Sequence, residues 1–121
     1  MTTVAIIDDD DGVRAALEDL MRSQQYEVST YTSVDQFLTS RPTSRPAIII
    51  TDIEMPGLKG SDLIDILARE GITVPVIVIT GRLDFQLNEG CARVCSILTK
   101  PFDSSDLCEA VAKNVRDSVG E

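Results

Sequence analysis

The sequence predicts a doubly wound α/β fold, a parallel sheet with helices on both faces. Three apolar runs carry that expectation: "TVAIID" near the start, "AIIITD" (Ala47–Asp52) and "VPVIVIT" (Val74–Thr80). They are rich in Ile and Val and show no polar alternation, the pattern of strands buried on both faces. Between them lie stretches of helical rhythm, and alternation of strand with helix is the mark of this class.

Each element has its own signal. After the first run, Val13, Ala16, Leu17, Leu20 and Met21 follow an i, i+3, i+4, i+7, i+8 spacing, with Asp10 or Asp11 placed to cap the start. "YEVSTY" (Tyr26–Tyr31) alternates and reads as a strand nearer the sheet edge. Ser33 and Gln36 then stand at capping-box spacing. "RPTSRP" (Arg41–Pro46) and "MPGLKG" (Met55–Gly60) carry loop signals. Ser61 can cap a helix bearing Leu63, Ile66 and Leu67, which Gly71 ends. Val94–Thr99 is a weaker apolar run, read as a fifth strand. Asp103 or Ser104 begins a last helix through Leu107, Ala110, Val111 and Val115. Repeats, low-complexity tracts and linkers are absent from the sequence, and 121 residues suffice for one domain.

Composition narrows the function classes. Eleven basic residues against twenty acidic ones give a formal charge of −9. Nucleic acid and anionic membranes both require a basic footprint, so direct binding to either is disfavoured. No apolar run approaches the ~20 residues of a membrane span. The N-terminus lacks a signal-peptide pattern, so the expected location is cytoplasmic. Three cysteines (Cys91, Cys95, Cys108) form no disulfide framework, and with no histidine a zinc site lacks ligands. Small apolar packing is the reading for all three.

The ends of the apolar runs carry the chemistry. The first ends in Asp8 and Asp9, the third in Asp52, the fourth in Thr80, and the fifth runs into Lys100. In an open parallel sheet these ends share one edge, where ligands bind. The run Asp8–Asp11 alone admits two readings. It is a solvated turn capping a helix, or part of a metal site. Carboxylates a few Å apart repel by roughly 4 kcal/mol at an effective dielectric of ~20, and a hard cation relieves that better than splaying does. Asp8, Asp9 and Asp52 suit Mg²⁺. A carboxylate beside such a metal can attack phosphorus and form an aspartyl phosphate. Charge neutralisation, the main demand of phosphoryl transfer, falls to Mg²⁺ and the Lys100 ammonium.

With "IIDDDD", "IIITDIEMPGLKG", "VIVITG" and "LTKPF" in that order, the sequence resembles the receiver domains of two-component response regulators. The resemblance covers nearly the whole chain, residues 1–121, and implies a flavodoxin-like five-stranded sheet of order 2-1-3-4-5. It implies Asp52 as phosphoacceptor, Asp8 and Asp9 as the Mg²⁺ acids, and Glu54 as a ligand through its backbone carbonyl. Thr80 takes the place of the switch hydroxyl and Lys100 that of the phosphate-contacting lysine. Pro101 stands where a cis peptide often precedes. Asp10 and Asp11 are left to the positive start of the helix. The implied partner is a sensor histidine kinase or a phosphotransfer protein, with room for a homodimer that forms on phosphorylation. Such receivers often precede a C-terminal output domain, for example a helix-turn-helix.

Two positions depart from the family pattern. Ile97 stands where Tyr or Phe is usual, and Gly81–Ser96 is short and lacks the alanine-rich fourth helix. A β-branched side chain is stiff at χ1 and suits a swinging role poorly. The response to phosphorylation is therefore expected to run through Gly81–Ser96. Two other functions compete with the receiver reading: an aspartyl-phosphate hydrolase of the haloacid dehalogenase type, and a receiver-like module that binds partners without phosphorylation.

Overall fold

The apolar runs pair into one sheet. In the computed structural model, which describes residues 2–40, 46–53, 60–71, 74–81, 94–100 and 102–119, five parallel strands lie in the order β2-β1-β3-β4-β5. They are β1 (Thr3–Ile7), β2 (Glu27–Tyr31), β3 (Ile48–Asp52), β4 (Val76–Thr80) and β5 (Val94–Thr99). β3 and β4 are buried throughout, as unbroken Ile/Val runs require. β2, whose sequence alternates, lies at one edge and pairs with β1 alone. The fold class, the strand order and the edge place of β2 match the sequence expectation.

The described helices are α1 (Asp11–Ser23), α2 (Val34–Thr39), α3 (Gly60–Arg69) and α4 (Ser104–Val119). Side chains alternate across a strand, so successive residues feed opposite faces. Val4, Ile6, Ile48, Ile50, Ile77 and Ile79 pack with α1 and α4 through Leu17, Met21, Leu107 and Val111. Ala5, Ile7, Ile49, Val76 and Val78 pack with α2 and α3 through Val34, Phe37, Leu63, Ile64 and Leu67. The sheet is thus covered on both faces.

The caps follow local chemistry. Asp10 accepts from the Val13 N–H to start α1, and Ser33 accepts from the Gln36 N–H to start α2. α3 departs from expectation at its start, because Gly60 is already helical and Ser61 lies inside the first turn. Its buried face also turns slightly, with Ile64 taking the place expected of Ile66. Gly71 closes that helix at φ +72°, a conformation that only glycine adopts freely, and its N–H donates to the Ala68 carbonyl.

Cys108 is half-buried against the α1/α4 core, and burial pushes its thiol up, which suits packing rather than reactivity. Cys91 lies outside the described residues. Among the described residues no helix is long and apolar enough to cross a membrane. Ile50, on the central strand, is 1% exposed. Ile50→Ala is therefore expected to cost about 2–5 kcal/mol, read as a lowered urea midpoint with an unchanged slope.

Candidate phosphoacceptor and metal site

The carboxyl ends of β1, β3, β4 and β5 meet at one edge of the sheet. Asp8 follows β1 directly, and its N–H donates to the Tyr31 carbonyl at 3.1 Å, extending the β1–β2 ladder one residue. That bond draws Asp8 into the sheet, and it is 1% exposed. Asp9 is already exposed. Asp10 serves as the N-cap of α1 and Asp11 as its first residue. Four identical side chains thus occupy different settings, from the buried strand end at Asp8 to the helix start at Asp10 and Asp11.

Asp52 closes β3 and is 7% exposed. Its Oδ2 accepts from Lys100 Nζ at 2.8 Å in a partly buried ion pair. Lys100 comes immediately after β5, and its backbone N–H donates to the Thr80 carbonyl at 2.8 Å. Thr80 ends β4 and is buried. The expected site residues Asp8, Asp9, Asp52, Thr80 and Lys100 therefore share one edge. Glu54 and Pro101 lie outside the described residues.

Asp8, Asp9 and Asp52 each offer one carboxylate oxygen, and these oxygens lie within 4.8 Å of one another. Asp8 Oδ1 accepts from the Asp10 N–H at 2.8 Å. Its Oδ2 is buried and has no hydrogen-bond partner among the described residues. Burial pushes the Asp8 carboxyl above its ordinary value, and the charges of Asp52 and Asp9 add to the rise. The Asp10 N–H and the Lys100 charge oppose it and are outweighed. For Lys100, burial pulls the ammonium down, but the hydrogen bond and charge of Asp52, with Asp8 and Asp10, leave it raised. Oxygen-only donors, close spacing and an unsatisfied buried carboxylate oxygen fit a hard divalent cation.

A sequence profile of the response regulator receiver domain matches residues 4–112. The chain belongs to that family. As a receiver domain of a two-component response regulator it is a signalling domain rather than a conventional enzyme, which displaces the hydrolase reading. It is 36% identical over 110 residues to the transcriptional regulatory protein FixJ of Azorhizobium caulinodans, covering 89% of this chain and 52% of that one. The receiver chain thus spans about half the length of that relative. Among solved structures, the response regulator StyR superposes with a TM-score of 0.91 at 29% identity, covering 98% of this chain and 61% of that one. A response regulator of Thermotoga maritima, solved with Mg²⁺ and BeF, superposes with a TM-score of 0.84. It is 22% identical, covers 94% of this chain and 99% of that one, and speaks to the fold alone.

The sequence reading passed over Arg14. Its side chain is 17% exposed, pairs with Asp11, and donates from Nη1 to the Asp8 carbonyl at 2.8 Å. The i, i+3 spacing of Asp11 and Arg14 was the available signal. Ile97 is 42% exposed on β5, so in this state it fills no place in the core. Most of the segment expected to carry the response, residues 82–93, lies outside the described residues.

Proposed function

We propose that this receiver accepts a phosphoryl group on Asp52 from a histidine kinase or phosphotransfer protein, in a reaction that requires Mg²⁺. One observation carries the reading: the buried Asp52 carboxylate has an oxygen within 4.8 Å of oxygens of Asp8 and Asp9, close enough to share one ion, and is paired with a cationic lysine.

In this reading an Asp52 oxygen attacks phosphorus, the bond from phosphorus to the donor imidazole nitrogen breaks, and that nitrogen keeps the electron pair. Asp8, Asp9 and Asp52, with the Glu54 carbonyl that the resemblance implies, would hold Mg²⁺, which would supply positive charge against the phosphoryl oxygens. Lys100 adds a second positive charge and is held ready by Asp52 itself. When Asp52 becomes an acyl phosphate, the ammonium loses its carboxylate partner and turns to the new phosphoryl oxygens. Thr80, at the adjacent strand end, offers a hydroxyl to the same group.

The FixJ relative, about twice as long and described as a transcriptional regulator, supports a transcriptional output domain in the whole protein. The −9 charge argues against this domain touching DNA itself. Intact-mass measurement after incubation with acetyl phosphate is expected to show one phosphoryl group with Mg²⁺ and none with EDTA. No adduct under either condition would leave an interaction module that works without phosphorylation.

A further inference from the structure

Asp8 is held at nearly every polar atom. Its N–H is bound to Tyr31, its Oδ1 to the Asp10 N–H, and its carbonyl to Arg14 Nη1. Only Oδ2, buried within the acidic cluster, has no partner among the described residues. The Asp8 carbonyl belongs to the peptide plane that joins Asp8 to Asp9. Fixing that plane fixes where the Asp9 Cα lies and so narrows the directions in which its side chain can leave the backbone. Arg14 reaches the plane from the first turn of α1, six residues on, while its Nη2 pairs with the exposed Asp11 carboxylate. Its planar fork suits two acceptors at once, which a lysine ammonium serves less well.

We propose that Arg14 is a positioning residue for the metal site, setting the Asp8–Asp9 peptide so that both carboxylates converge with Asp52. The inference rests on the metal-site reading above. A guanidinium costs several kcal/mol to bury without partners, so its seclusion needs the bonds it makes. Its charge works against cation binding nearby, because like charges repel. Charge alone and positioning therefore predict opposite signs when Arg14 is neutralised.

The test is calorimetric titration of Mg²⁺ into Arg14→Met, Arg14→Lys and Asp11→Asn, with thermal melting in EDTA to confirm folding. Met keeps most of the apolar stem and loses both charge and donors. Positioning predicts that Mg²⁺ binds roughly tenfold more weakly to Arg14→Met, the scale of a hydrogen bond within a charged group's surroundings. Arg14→Lys, with one prong of the fork lost, is expected to fall between it and wild type. Asp11→Asn leaves the bond to the Asp8 carbonyl and is expected to stay within about twofold. The Asp9 amide nitrogen, across the peptide bond from that carbonyl, is expected to shift in the NMR spectrum of Arg14→Met and not of Asp11→Asn. Unchanged or tighter binding by Arg14→Met overturns the inference, as does unchanged binding by Arg14→Lys should the Met variant fail to fold. Wild-type protein without saturable Mg²⁺ binding removes the metal-site reading itself, whereas wild-type binding with an unmoved Arg14→Met removes this inference alone.

Discussion

Replacing Asp52 with Asn is expected to abolish phosphoryl acceptance and leave the fold in place. An amide oxygen is a poor nucleophile, so no acyl phosphate forms and the adduct falls to background. The variant keeps an acceptor for Lys100 Nζ, which now bonds Asp52 Oδ2 at 2.8 Å. It also removes a negative charge that raises the Asp8 carboxyl. Loss of the ion pair and relief of repulsion oppose each other, so the thermal midpoint is expected to stay within about 5 °C of wild type. Acyl phosphates are cleaved by hydroxylamine and phosphate esters of Ser or Thr are not. A hydroxylamine-labile adduct that persists at full stoichiometry in Asp52→Asn would place the acceptor elsewhere.

Asp8→Asn is expected to reverse the order of stability with and without Mg²⁺. Burial, reinforced by Asp52 and Asp9, holds the Asp8 carboxyl above its ordinary value against the pull of the Asp10 N–H and Lys100. A raised acid binds its proton more tightly folded than unfolded. Its stabilising contribution is complete below the unfolded value and is lost as pH rises through the folded one. At neutral pH the ionised form is therefore a burden on the fold. Asn carries no charge and keeps the oxygen that accepts from Asp10. In EDTA at pH 7 the variant is expected to gain about 1–3 kcal/mol, a rise on the order of 5 °C. Lowering the pH from neutral toward the ordinary carboxylate range should narrow that gap, because wild-type Asp8 then takes up its proton. Saturating Mg²⁺ should stabilise wild type by mass action and the variant far less, so that wild type becomes the more stable of the two. A variant less stable than wild type in EDTA, or one with the full Mg²⁺ response, would contradict this account.

Much of the fold was legible because a strand buried on both faces strongly favours apolar residues. β3 and β4 read as Ile/Val runs since any polar side chain there would lack water. The place of the candidate site was legible for the converse reason: Asp8, Asp52, Thr80 and Lys100 break those runs at matching ends. The division of labour among Asp8–Asp11 was harder to read, because identical side chains differ only in where the β1–β2 ladder stops. On the buried face of α3 Leu63 and Leu67 were read correctly and only Ile66 was taken for Ile64, since both are isoleucine and the helix start sets which faces inward. Arg14 went unread because its target is a backbone carbonyl, which no sequence pattern marks.

The order in which the edge of the sheet is supplied has a consequence for how the chain is made. During synthesis Asp8, Asp9 and Asp52 leave the ribosome well before Lys100. A nascent chain released as far as Thr80 carries the strands that place Asp8, Asp9 and Asp52 and does not yet carry Lys100. Lys100 arrives only when β5 docks, and its N–H hooks onto the Thr80 carbonyl as it does so. The final strand thus brings the counter-charge along with its own hydrogen bonds. Until that moment the three carboxylates lack the Lys100 charge, and translation rather than sequence proximity decides when it reaches them.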